Sequence, residues 1–129
     1  VASAEELYKT CQFVSLHIPA TAETKQSINY SLLSLMPKGA LLINTARKEG
    51  IYEEDLARIL EERTDFHYVA DVAPTIADTL KEKFGNRVFF TPKKMGAQTA
   101  EANINAGIAA ARQSVGYLKD GIDKFRVNK

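Results

Sequence analysis

The sequence predicts an α/β fold, half of a doubly wound architecture built on a parallel sheet. Short apolar runs alternate along the chain with segments whose apolar residues recur at helical spacing. The helical segments are long enough to serve as the right-handed crossovers that join parallel strands. No internal repeat, low-complexity tract or Gly/Ser linker interrupts this alternation.

Taken in order, Ser3 followed by Glu5 and Glu6 opens a short helix running to about Thr10, and Gln12 to His17 reads as a buried strand that Pro19 ends. Asn29 is placed to cap a second helix through Met36, and Pro37-Lys38-Gly39 turns the chain into a strand from Ala40 to Asn44. Leu56, Ile59 and Leu60 lie at helical spacing between Glu53 and Glu62, and Phe66 to Asp71 returns to a strand closed by Pro74. Ile76 to Phe84 is expected to be helical. Gly85-Asn86 then turns the chain into a fourth strand from Arg87 to Thr91, before Pro92. From Gln98 to about Lys119 a long helix is expected. Its alanine-rich stretch, Ala106 to Ala111, permits close approach, and its length of about 30 Å would reach a neighbouring domain or subunit if it does not simply cap the sheet. Asp120 to Lys129 reads as a short terminal extension.

The 129 residues are 45% hydrophobic and 26% charged, the profile of one domain, or part of one, able to bury a core. Seventeen basic against sixteen acidic residues leave a formal charge of +1, which supplies no general field for nucleic acid or an anionic membrane, so any anion site must be local. Cys11, the single cysteine, excludes an internal disulfide or a cysteine-based zinc site, suits a reducing cytosol and reads as structural. No apolar stretch approaches the roughly 18 residues of a membrane span, and no signal peptide is recognisable. The absence of a starting methionine suggests a fragment.

In an open parallel sheet ligands collect at the carboxyl ends of the strands. Those ends carry His17-Ile18-Pro19, Thr45-Ala46-Arg47, Asp71-Val72 and Lys93-Lys94-Met95-Gly96. Arg47 directly follows an apolar strand and offers a planar fork that can bind a carboxylate through two parallel hydrogen bonds, although a surface ion pair is an equal reading of the residue alone. Lys93 and Lys94 would disfavour one another's charge, and an amine whose pKa is lowered can act as a general base; the competing reading is a solvated basic turn. His17 has no Ser or Asp at triad spacing and reads as local and structural, as does His67 within its strand. Two histidines without HExxH spacing give no case for zinc or another metal. Glu53-Glu54 and Glu61-Glu62 read as solvated helix faces. None of the seven glycines forms a phosphate-binding G-x-G-x-x-G, so the pyrophosphate loop of any dinucleotide site is expected upstream of Val1.

In combination these segments resemble the D-2-hydroxyacid dehydrogenases. The likeness runs from Val14-Ser15-Leu16-His17-Ile18-Pro19, through Thr24 and Asn29, to Leu41-Leu42-Ile43-Asn44-Thr45-Ala46-Arg47. It continues in Glu53-Glu54-Asp55-Leu56, Ala70-Asp71-Val72, Phe90-Thr91-Pro92 and Met95-Gly96-Ala97-Gln98-Thr99-Ala100-Glu101-Ala102. Almost the whole chain is covered, and within the family it resembles the short bacterial phosphoglycerate dehydrogenases.

The resemblance implies the second half of a Rossmann-like NAD-binding domain over residues 1–97, followed over residues 98–129 by a long helix and tail returning toward a substrate domain. It implies NAD as cofactor, a small 2-hydroxyacid as substrate, a homodimer and a cytoplasmic location. Arg47 matches the arginine that binds the substrate carboxylate and carbonyl. His17, Ile18 and Pro19 match the segment approaching the adenosine half of NAD. Thr45, Ala46 and Asp71 match groups holding the nicotinamide amide, and Gly96 and Ala97 the tight turn beside it.

Two departures stand out. The family's Thr-Pro-His is here Thr91-Pro92-Lys93-Lys94 with one extra residue before Gly96, so Lys94, counted back from Gly96, or Lys93, counted forward from Pro92, occupies the position of the catalytic histidine. The glutamate expected five residues after Asp71 is Ile76. Lysine, with a reference pKa of about 10.4, must be pushed down to accept a proton near neutrality, and a carboxylate neighbour would oppose that. The resemblance therefore points to a lysine-based dehydrogenase oxidising 3-phospho-D-glycerate. The alternatives are an enzyme for another 2-hydroxyacid, such as glycerate or lactate, and a non-catalytic NAD-sensing protein. The fragment alone is expected to be inactive.

Overall fold

The computed structural model describes residues 1–92, 99–125 and 127. The chain forms two compact units, Val1–Lys94 and Met95–Lys129. In the first, four strands, β1 (Phe13–Leu16), β2 (Leu41–Asn44), β3 (His67–Ala70) and β4 (Val88–Phe90), make one parallel sheet in the order β1-β2-β3-β4. The helices are α1 (Ala4–Thr10), α2 (Tyr30–Leu35), α3 (Glu53–Glu62) and α4 (Ala77–Phe84).

Local chemistry accounts for these boundaries. Ser3 Oγ accepts from the Glu6 amide and Asn29 Oδ1 from the Leu32 amide, satisfying donors that the first turns of α1 and α2 leave open. Gly39 adopts φ +73° in the turn into β2, where a Cβ would come within 2.9 Å of Gln12 Nε2 as well as straining the backbone. The carboxyl end of α3 is closed by Arg87, whose Nη1 donates to Leu60 O and Arg63 O, each at 2.8 Å.

Because the strands follow one another across the sheet without reversing, right-handed crossovers send the intervening helices to the same face. The core lies there: Leu33, Leu42, Leu56, Leu60, Phe66 and Leu80 are fully buried, with Tyr68 set edge-on to Phe90 at a centroid distance of 5.8 Å. Alternation along the strands follows from this. Val14, Leu16, Leu42, Asn44, Tyr68, Ala70, Val88 and Phe90 point into the core, while Phe13 and Phe89, 65% and 60% exposed, point away from it. The expectation that Gln12–His17 is a buried strand is thus corrected: β1 has one covered face, and among the described residues it pairs with β2 on one side.

At the amino-terminal end of the sheet, the Arg63 guanidinium donates to Met36 O (2.7 Å), Pro37 O (2.8 Å) and Asp65 Oδ2 (2.7 Å), and that oxygen also accepts from the Gly39 amide at 2.7 Å. The cation and the amide hold the Asp65 carboxyl well below the usual carboxylate range.

In the second unit, α5 (Ala100–Asp120) begins at Thr99, whose hydroxyl accepts from the Ala102 amide, and ends at Gly121 in the left-handed region, with Ile122 N donating to Gly116 O. None of its residues is buried, and Ile104, Ile108, Val115 and Leu118 stand exposed along it.

Candidate functional site

A parallel sheet delivers every strand's carboxyl end to one edge, so Leu16, Asn44, Ala70 and Phe90 hand over to His17, Thr45, Asp71 and Thr91 side by side. Between the first two of these connections lies an open cavity of about 480 Å³, lined by His17, Ile18, Pro19, Ala20, Thr45, Ala46 and Arg47. Six of the residues selected from the sequence, His17, Ile18, Pro19, Thr45, Ala46 and Arg47, therefore line one cleft between two loops.

The loop after β1 is rigidified from within. Thr24 Oγ1 donates to Pro19 O at 2.5 Å and accepts from the Thr21 amide at 2.8 Å. It is also tied to the segment after Arg47: Gln26, at φ 56°, donates to Glu49 O, and Ile28 forms a parallel bridge with Ile51. Ile18 and Pro19 are consequently held facing Thr45 and Ala46. His17 is exposed, its Nε2 2.9 Å from Ser15 Oγ, and no carboxylate completes a relay among the described residues. His67 is likewise exposed and engages only Asp65 O through Nδ1 at 3.1 Å.

The turn carrying Arg47 is organised by Asn44, which sequence reasoning passed over as the end of a strand. Its Oδ1 accepts from the Ala46 amide (3.0 Å) and its Nδ2 donates to Arg47 O (3.1 Å). The Arg47 side chain is exposed and takes part in neither ion pair found among the described residues, which are Arg58–Glu62 and Arg63–Asp65. An arginine held on an ordered turn with its fork open to a cleft suits an incoming carboxylate.

Asp71, one strand over, is half-buried. Its amide donates to Asn44 O at 3.0 Å, and Thr91 Oγ1 lies 2.8 Å from Asp71 O and 2.9 Å from Asp71 Oδ1. Thr91 is a second residue to which the sequence assigned no role of its own. The four remaining candidates, Lys93, Lys94, Gly96 and Ala97, lie outside the described residues.

Ile76 stands at the start of α4 and lines a different cavity, of about 360 Å³, together with Lys25, Lys48, Tyr52, Glu53, Glu54 and Thr75 among others. Glu53 is not the solvated helix residue expected from its acidic run. It is half-buried, and its Oε1 accepts from the Thr75 amide at 2.7 Å, tying the loop after β3 to the start of α3. Glu54 accepts from Tyr52 Oη, and Asp55 from the Tyr30 amide. Acidic side chains in a first helical turn find nearby amide donors as readily as water, and the spacing alone could not distinguish the two.

No group of three His, Cys, Asp or Glu side chains suited to a metal ion occurs among the described residues, and no helix among them is long and apolar enough to cross a membrane. The cleft fits a dinucleotide better than a hydrophilic ligand of uniform charge. It offers apolar Ile18, Pro19 and Ala46 for a flat base or ring, and hydrogen-bonding groups at Thr45 and Arg47.

Comparison with known proteins agrees with this geometry. The model of one family, described as D-isomer specific 2-hydroxyacid dehydrogenase, NAD binding domain, matches residues 1–93. A D-3-phosphoglycerate dehydrogenase of Haemophilus influenzae is 34% identical over 134 residues, an alignment covering 99% of this chain and 32% of that protein. A hydroxypyruvate reductase of Thermotoga maritima is 34% identical over 112 residues, covering 81% of this chain and 35% of that one. Among solved structures, a cofactor (NAD+)-bound 3-phosphoglycerate dehydrogenase of Entamoeba histolytica superposes with a TM-score of 0.85 at 50% identity, over 100% of this chain and 42% of its own. The chain thus spans about a third of the length of these two curated relatives.

Proposed function

Because this chain belongs to the NAD-binding domain family of the D-isomer specific 2-hydroxyacid dehydrogenases, we propose that it forms part of an enzyme oxidising 3-phospho-D-glycerate to 3-phosphohydroxypyruvate with NAD. The observation that carries the reading is the placement of Arg47 in one cleft with His17, Ile18, Pro19, Thr45 and Ala46. The likeness to two phosphoglycerate dehydrogenases supports the choice of substrate. A second reading, a dehydrogenase for an unphosphorylated 2-hydroxyacid, draws support from the hydroxypyruvate reductase at equal identity.

In this reading Arg47 grips the substrate carboxylate and the C2 oxygen, so that the single hydrogen on C2 faces the cofactor. Ile18 and Pro19 receive the adenosine half of NAD, and Thr45 and Asp71 hold the nicotinamide carboxamide. When bound, NAD supplies the acceptor for the hydride that leaves C2. Lys94, or Lys93, takes the hydroxyl proton, so the C2 oxygen becomes a carbonyl as the C–H and O–H bonds are lost. The full-length enzyme is a cytoplasmic homodimer, and the 129 residues alone have no turnover.

The test is an assay of the full-length protein with NAD and 3-phospho-D-glycerate, followed by formation of reduced nicotinamide, with D-glycerate and D-lactate as alternative substrates and hydroxypyruvate assayed in the reverse direction with NADH. Turnover greatest with 3-phospho-D-glycerate is expected. A preference for an unphosphorylated acid supports the second reading, and tight NAD binding without turnover on any 2-hydroxyacid supports an NAD-sensing protein instead.

A further inference from the structure

Asn44 is the one polar side chain in the core of the described residues, with 1% of its surface exposed. A carboxamide taken out of water destabilises the fold unless its donors and acceptor are met. Here they are met by the site. Oδ1 holds the Ala46 amide at 3.0 Å, Nδ2 holds Arg47 O at 3.1 Å and approaches Tyr68 Oη at 3.4 Å, while the main-chain oxygen of the same residue holds the Asp71 amide at 3.0 Å. The main chains of Arg47, which lines the cleft, and of Asp71, one strand over, therefore both bond to one residue, placed between Leu16 and Ala70 in the sheet register.

No isosteric residue does the same. Leucine would take the carboxamide oxygen from the Ala46 amide and would leave the Arg47 carbonyl only the Gly50 amide, at 3.4 Å. Aspartate could accept from the amide but would set a carboxylate against a carbonyl oxygen. Of the three, the carboxamide alone presents a donor and an acceptor on two separate atoms without a change of protonation.

We propose that Asn44 is a positioning residue: its carboxamide fixes the Thr45–Arg47 turn, and through that turn sets how tightly the guanidinium of Arg47 holds the carboxylate of a 2-hydroxyacid. The inference rests on the reading of Arg47 as the carboxylate clamp. It gives a role in substrate affinity to a residue that touches neither substrate nor cofactor.

The experiment uses the full-length protein and its Asn44→Ala, Arg47→Ala and doubly substituted forms, with KM for 3-phospho-D-glycerate, kcat and the Kd for NAD measured for each. Misplacing the guanidinium is expected to raise KM roughly tenfold or more in Asn44→Ala. In the Arg47→Ala background the same substitution should change KM by less than about twofold, because the group it acts through is gone. Asn44→Ser, whose single, shorter hydroxyl replaces the two separate atoms that meet the Ala46 amide and Arg47 O, should fall between, and it replaces Asn44→Ala in the comparison if that variant does not fold. Parent turnover with KM unchanged in the Asn44 variant, or an equal rise of KM in both backgrounds, overturns the role of Asn44 alone. Absence of turnover in the parent with any 2-hydroxyacid overturns the reading of Arg47, and this inference with it.

Discussion

Thr91 Oγ1 lies 2.9 Å from Asp71 Oδ1 and 2.8 Å from the carbonyl of the same residue. One hydroxyl thus fixes both the side chain and the main chain of the carboxylate proposed to hold the nicotinamide amide. Thr91→Val keeps the shape and removes the hydrogen bond, whose net value to a charged group is about 1.5–3 kcal/mol when fully made and less at this half-buried site. The Kd of the full-length protein for NAD, measured by fluorescence titration, should rise roughly five- to tenfold. A Kd unchanged in Thr91→Val would show that Asp71 is held by other contacts.

Arg47→Lys retains the charge and loses the fork. If the residue binds a carboxylate through two parallel bonds, kcat/KM should fall by roughly a hundredfold even in this conservative variant, and further in Arg47→Ala. A lysine variant within about threefold of the parent would mean that Arg47 acts only as a point charge.

The lysine base makes a prediction in pH. Its amine must be deprotonated to accept the hydroxyl proton, so kcat/KM for oxidation should climb with pH and level off above the pKa of the free enzyme's lysine. Lys94→Ala should abolish that rise and lower kcat by about a hundredfold or more, with Lys93→Ala as the rival. Undiminished turnover in both variants sinks the proposal.

Asp65 forecasts an acid-sensitive fold. Its folded pKa is depressed by Arg63 and the Gly39 amide, while in the unfolded chain it stays near about 3.9. The stabilisation is therefore complete above the unfolded value and is lost as pH falls from there toward the folded one. Asp65→Asn should cost about 1 kcal/mol at neutral pH, the carboxylate being partly exposed, and should flatten the acid limb of a urea-unfolding series. An identical acid limb in parent and variant would contradict this.

Much of the architecture was legible in the sequence because its punctuation is local. Pro19, Pro74 and Gly39 mark real ends and turns, Ser3 and Asn29 do cap helices, and α3 spans the residues that its apolar spacing picked out. The order of the strands was not legible from any run of residues, and so Phe13 was expected inside. It lies on β1, facing away from the layer of helices that the crossovers supply. The residues of the cleft were found because they follow strands directly. Those that hold them were not: Asn44 and Thr91 each read as a polar residue ending a strand, and their partners at Ala46, Arg47 and Asp71 become visible only once the strands are side by side. Glu53 escaped notice for the same reason, since its partner, Thr75, lies beyond an intervening strand.

The two phenylalanines on the far side of the sheet bear on how this polypeptide behaves in a tube. All-parallel sheets occur almost entirely with a layer on each side, yet Phe13 and Phe89 meet water at opposite edges of the same face, with Leu41, Ile43 and Val69 only partly covered between them. Produced as these 129 residues alone, the protein should light up an apolar dye and self-associate as it is concentrated. Phe13→Lys with Phe89→Lys should delay both in parallel light-scattering and dye titrations. Such a pair would be a useful solubilising device for anyone wishing to study the cleft by spectroscopy.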